Sequence, residues 1–123
     1  MIELIKNNDF DACYKKIDME KYCPNLDDLA SCLICINHHN WRKCICLYEY
    51  ILDFLPEFPT ENFVIECLKK LNLYCPYFYD VVTTLCEISK FSKNFVKNAC
   101  IDIACHHASF NRRCYFNVKK NIS

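Results

Sequence analysis

An all-α fold is what this 123-residue sequence predicts, in the form of a short right-handed α-solenoid of about three helix-turn-helix repeats and about seven helices. Three observations carry the prediction. The chain contains no glycine, the residue on which tight hairpins, bulges and left-handed turn positions lean, so sheet-rich folds lose ground. Apolar residues recur at offsets 0, 3, 4 and 7, the stripe of an amphipathic helix. The stripes themselves recur every 31 to 37 residues, the length of one helical hairpin in a solenoid.

The stripes define the elements in order. Phe10, Cys13, Tyr14 and Ile17 make a leading helix over 8–21. Leu29, Cys32, Leu33 and Ile36, then Trp41, Cys44, Ile45 and Tyr48, make the two helices of a hairpin over 26–54. Val64, Cys67, Leu68 and Leu71, then Phe78, Val81, Val82 and Leu85, make a second hairpin over 61–90. Val96, Ala99, Cys100 and Ile103 open a third over 93–118, whose second helix fits loosely through Phe110, Cys114 and Val118. First helices start 35 and 32 residues apart; second helices, counted from Phe10, start 31, 37 and 32 apart and each opens on an aromatic. One domain spanning 1–123 is therefore expected.

The breaks agree with this division. Pro24, Pro56, Pro59 and Pro76 fall in loops or at a first turn, where proline is tolerated. Asn40 and Asn94 are expected to cap the helices that follow them. Asn and Ser take the turns that glycine would usually occupy.

The run 24–51, with Trp41, Leu47 and Tyr48 and followed by Pro59, resembles pentatricopeptide and tetratricopeptide repeats, most of all the pentatricopeptide order of proline, first helix, turn and second helix. The resemblance implies a ligand: single-stranded RNA for the first family, peptides for the second. A second resemblance, through Asp9, Phe10, Asp11 and Ala12 and through Phe63, Val64, Ile65 and Glu66, is to subunit 5A of cytochrome c oxidase, a small stack of similar hairpins.

Composition narrows the function. The 53% apolar and 24% charged residues describe a chain that folds. Without glycine there is no phosphate-binding loop, dinucleotide fingerprint or nucleophile elbow. Net charge is zero, yet residues 1–60 hold six Lys/Arg against ten Asp/Glu and residues 61–123 hold nine against five. That dipole can steer a partner, but it offers no strongly basic surface for nonspecific nucleic-acid binding. No apolar stretch reaches the length that spans a bilayer. The start of the chain carries Glu3, Lys6 and Asp9 and no apolar leader, so an intracellular, reducing compartment is expected. The 12 cysteines are accordingly expected as reduced thiols packed like small hydrophobes.

Three groups of residues invite chemistry. Cys32, Cys35 and His39 stand at offsets 0, 3 and 7, along one flank of a helix, with His38, Cys44 and Cys46 nearby. Four such ligands suit zinc. Structural zinc sites usually draw their ligands from tight knuckles, however, and Cys32 also belongs to a core stripe, so packing is expected and no cofactor is. A second set, Cys100, Cys105, His106 and His107, has the same ligand types. Cys35 with His39 has the residue types of a thiolate nucleophile and its base, but no paired acids or third orienting group stand beside them, and the chain is expected not to be an enzyme. Arg112, Arg113, Lys119 and Lys120, interleaved with Phe110, Tyr115 and Phe116, suit a phosphate backbone or an acidic partner, against a plain reading as a solvated last helix and tail. The 17 Phe and Tyr side chains exceed what short helices hide, so part of them should form a docking face. The expected function is thus an adaptor or a small subunit of a larger complex, with protein partners; the alternative is a pentatricopeptide-type single-stranded RNA-binding module.

Overall fold

A computed structural model describes residues 1–71 and 75–106 of the chain. All regular structure among them is helical, in seven helices: α1 (Ile2–Lys6), α2 (Phe10–Asp18), α3 (Leu26–Ile34), α4 (Trp41–Leu52), α5 (Glu61–Leu68), α6 (Cys75–Ser89) and α7 (Lys93–His106). Helices α2 to α7 are the six that the apolar stripes predict. The helix α1 has no counterpart in that reading, because five residues are too few to show an offset-7 repeat. The helix expected from Phe110 onward lies outside the described residues.

Contacts sort the helices into two rows. In one, α1 packs on α3, α3 on α5 and α5 on α7; in the other, α2 packs on α4 and α4 on α6. Across the rows, α1 pairs with α2, α3 with α4 and α6 with α7. Phe10 therefore starts a second-row helix, and α1 is the neighbour that precedes it.

Each stripe faces the seam between the rows. Leu29, Cys32, Leu33 and Ile36 are buried, as are Val64, Cys67, Leu68 and Leu71, and Phe78, Val81, Val82 and Leu85. All belong to one continuous cluster. The helix α4 has a wider buried surface that adds Leu47, Ile51 and Leu52, since it touches α2, α3 and α6. Three details differ from the stripes, the first being Tyr14, which is only half-buried. In α7 Ala99 and Cys100 of the stripe are buried, but Phe95 is buried where Val96 is expected, and Val96 is only half-buried. Trp41 is also half-buried, its ring covered by the Arg42 guanidinium 5.2 Å from the centroid.

Caps set the boundaries. Asn25 and Asp28 form a reciprocal capping box at α3, and the Thr60 hydroxyl accepts from the Phe63 amide at 3.1 Å to start α5. Asp28 is buried; its carboxylate is satisfied by the Asn25 amide at 3.0 Å and the Tyr22 hydroxyl at 2.8 Å. Asn40 precedes α4 but does not cap it. Instead its buried amide donates to Asn8 Oδ1 at 2.8 Å and to the Cys35 carbonyl at 2.9 Å, joining the α1–α2 turn to the α3–α4 turn. Asn94 lies inside α7 and is exposed, so it is no cap. Without glycine, the left-handed residue that ends α1 is Asn8 (φ 59°) and the one that ends α6 is Lys90 (φ 58°). Behind each, a 6→1 backbone bond closes the helix, from the Asp9 amide to the Leu4 carbonyl at 2.9 Å and from the Phe91 amide to the Cys86 carbonyl at 3.1 Å.

The second row is pinned by one buried polar contact. Tyr48 Oη of α4 and Ser89 Oγ at the end of α6 lie 2.6 Å apart, both groups almost wholly out of solvent. Burial pushes the Tyr48 phenol up to about 12, against the opposing pull of Ser89. Removing one partner strands the other, so Tyr48→Phe should cost about 1–2 kcal/mol in urea unfolding, and adding Ser89→Ala should recover most of that loss. A double variant no more stable than Tyr48→Phe alone would show that Ser89 finds another partner.

Candidate functional site

The side chains that α2 and α4 do not bury against the seam form an aromatic groove between them. Tyr14 on α2 meets Tyr50 on α4 edge to face, with centroids 5.2 Å apart at 71°. Phe54 follows Tyr50 by one helical turn and packs on it at 5.3 Å and 55°. The Tyr50 hydroxyl donates to Asp18, which raises the phenol above its ordinary value, helped by burial and by the charges of Asp18 and Asp53. Tyr14 is raised as well, first by burial. Both phenols are therefore protonated donors at neutral pH.

Two hollows flank this aromatic bridge. One, of about 310 Å³, lies at the starts of the two helices and is lined by Asp9, Asp11, Tyr14, Arg42, Lys43 and Cys46 among others. The other, of about 390 Å³, lies at their ends and is lined by Ile17, Asp18, Lys21, Tyr22, Cys23 and Phe54. Tyr22 is held here by its bond to Asp28; burial, then that bond, pushes its phenol up to about 12. Lys16 lies 5.4 Å from the Tyr22 centroid. Phe54 is 42% exposed and Met19, one residue beyond Asp18, is 75% exposed.

The thiols lie elsewhere. Cys13, Cys32 and Cys44, from α2, α3 and α4, are completely buried, and Cys67 and Cys100 are buried in the same core. Cys35 and Cys86 are half-buried, Cys23 and Cys46 exposed, and none of the nine described cysteines is in a disulfide. The zinc set is not assembled. The helix α3 ends at Ile34, so the helical offset breaks before His39, which is exposed in the following turn while Cys32 and Cys44 face the core. No group of three or more His, Cys, Asp or Glu side chains converges on a possible metal position among the described residues.

Electrostatics disfavour thiolates at these positions. Burial, reinforced by neighbouring thiols, pushes Cys44 up to about 12 and raises Cys32; burial, against the pull of the N-terminus, raises Cys13. Cys35 is raised by burial despite the nearby Lys6, the opposite of what a nucleophile needs. Of the second set, Cys100 is a core residue; the side chains of Cys105, His106 and His107 lie outside the described residues. So do Arg112, Arg113, Lys119 and Lys120.

The groove was legible only in part. The i, i+4 pair of Tyr50 and Phe54 and the aromatic surplus announce an exposed aromatic face; that Tyr14, 36 residues earlier, completes it depends on α2 packing beside α4. Comparison with protein-family models, with curated proteins and with solved structures found no match. No helix among the described residues is long and apolar enough to cross a membrane.

The thiols yield a testable pH dependence. The folded chain holds the protons of Cys13, Cys32 and Cys44 more tightly than the unfolded chain does, so this stability is full below the ordinary thiol value and is lost as pH rises past it. Unfolding free energy should fall above about pH 9, by about 1.4 kcal/mol per pH unit for each thiol. Cys44→Ala should lower stability at neutral pH and make that alkaline slope shallower; an unchanged slope would place the proton release elsewhere. In timed alkylation read by mass spectrometry, Cys23 and Cys46 should react well before Cys13, Cys32 and Cys44.

Proposed function

We propose that the chain is a non-catalytic protein-docking module, an adaptor or small subunit of a larger assembly, built as a short α-solenoid and working in a reducing compartment. The observation that carries this reading is the α2–α4 groove, where the half-buried rings of Tyr14 and Tyr50 pack on each other and Phe54, 42% exposed, extends them to solvent. Aromatics offer large contact area at small entropic cost and are enriched at protein interfaces. A two-row stack supports the same reading, since its grooves recur between neighbouring helices and tolerate surface change without loss of the core.

Charge bears on the choice of partner. Residues 1–106 hold 11 Lys/Arg against 15 Asp/Glu, a net of minus four. Such a surface repels a phosphate backbone, and an RNA-binding role would fall to Arg112, Arg113, Lys119 and Lys120 alone.

Purification of the tagged chain from its native cell under reducing conditions, with and without ribonuclease, tests the proposal against a Tyr50→Ala/Phe54→Ala variant. A protein partner indifferent to ribonuclease should be recovered at least about tenfold less with the variant, as expected when an interface loses two aromatic anchors. Recovery of a defined RNA with no stoichiometric protein would replace this function with the RNA-binding one.

A further inference from the structure

The thiols of α2, α3 and α4 gather in one part of the core, and they are not alike. Cys13, Cys32 and Cys44, one from each helix, are completely buried. Cys35, the residue that ends α3, is half-buried. The titratable neighbours of Cys44 are Cys35 and Cys13, and those of Cys32 begin with Cys44 and Cys13. Cys67 and Cys86 have charged side chains in those places instead, Lys70 and Glu66 for the first, Glu61 and Glu87 for the second.

A single residue brings Cys35 and Cys44 together. Asn40 donates from its side chain to the Cys35 carbonyl at 2.9 Å, and its own carbonyl accepts from the Cys44 amide at 2.9 Å. The two cysteines therefore flank one buried asparagine across the turn between α3 and α4, two helices that pack on each other. Two thiols are too few for a structural zinc site but enough for a disulfide. Lys6 of α1 favours the Cys35 thiolate, though burial outweighs it. Both thiols are thus protonated at neutral pH, so the pair exchanges slowly and stays reduced until an oxidant persists.

We propose that Cys35 and Cys44 are a reversible dithiol–disulfide pair that fastens the end of α3 to the start of α4 under oxidation. The oxidant class is a low-molecular-weight disulfide such as oxidised glutathione. The Cys35 sulfur attacks one glutathione sulfur, the glutathione S–S bond breaks, and the departing thiolate takes up the Cys35 proton. Cys44 then attacks the Cys35 sulfur of the mixed disulfide and displaces the second glutathione, which takes up the Cys44 proton. The chain gives up two electrons and two protons, and one glutathione disulfide becomes two thiols. Cys35 is the point of entry because Cys13, Cys32 and Cys44 are sealed. Closing the segment 35–44 restricts the unfolded chain and clamps the turn from which Asn40 reaches Asn8. The pair makes no use of the α2–α4 groove and is independent of docking there.

The full-length chain carrying Cys23→Ser/Cys46→Ser, which removes two exposed thiols, tests the pair. It is incubated with oxidised glutathione at about pH 8.5, near the ordinary thiol value, and digested without reduction for mass spectrometry. A cross-link joining Cys35 to Cys44 should form and vanish on reduction. Adding Cys35→Ser or Cys44→Ala should lower cross-linked product at least about tenfold, whereas Cys67→Ala, which removes another buried thiol, should leave it unchanged. Cys35→Ser suffices if Cys44→Ala fails to fold, because Cys35 is only half-buried and lies at a helix end. The oxidised monomer should keep its helical circular dichroism and unfold at higher urea than Cys35→Ser treated alike. The proposal is overturned by a pair left reduced, by glutathione that stays on Cys35 without cross-linking, by a cross-link from Cys13 or Cys32 to Cys44 instead, or by an oxidised chain less stable than the reduced one.

Discussion

Short helices in water do not hold themselves, and that constraint organises the molecule. The longest helix among the described residues has 15 residues, α1 has five and α5 has eight, at or below the length at which isolated helices are marginal. Each is stable only against its neighbours, so the apolar stripe of one helix must meet those of the helices beside it. The two-row stack satisfies this repeatedly, and α4 shows it most fully: it packs on α2, α3 and α6, and Leu47, Tyr48 and Ile51 are sealed completely. The Tyr48–Ser89 contact then fixes how α6 sits along α4, since a buried hydroxyl pair tolerates little sliding.

Unusual composition is absorbed by ordinary physics. Cysteine stands where small aliphatic residues would, and its burial keeps the thiol protonated and unreactive. Helix ends that glycine would close are closed by Asn8 and Lys90 in the left-handed region, each backed by a 6→1 bond that offsets part of the steric cost. Asn8 has a second use, because its side chain accepts from the buried Asn40 and so couples two successive turns.

The proposed docking function rests on what the stack leaves uncovered. Tyr14, Tyr50 and Phe54 lie on the seam between α2 and α4 but on its outer side, where no third row among the described helices packs. Asp27 and Asp28 in the first turn of α3 suit its N-terminal dipole.

The sequence by itself determined the helical class and six of the helices, because an amphipathic stripe is a local property, written within four to eight residues of itself. It also determined that cysteines such as Cys13, Cys32 and Cys44 belong to the core, since they sit in those stripes. Only the tertiary structure decided the existence of α1, the burial of Phe95 where Val96 was expected, the dispersal of Cys32, Cys35, His39 and Cys44, and the use of the Asn40 side chain as a bridge rather than a cap. Each depends on where a helix stops or on which helix lies beside it. Tyr14 and Tyr50 likewise became one surface only when α2 and α4 came together, for contact between residues 36 apart is a property of the packed rows and not of either stripe.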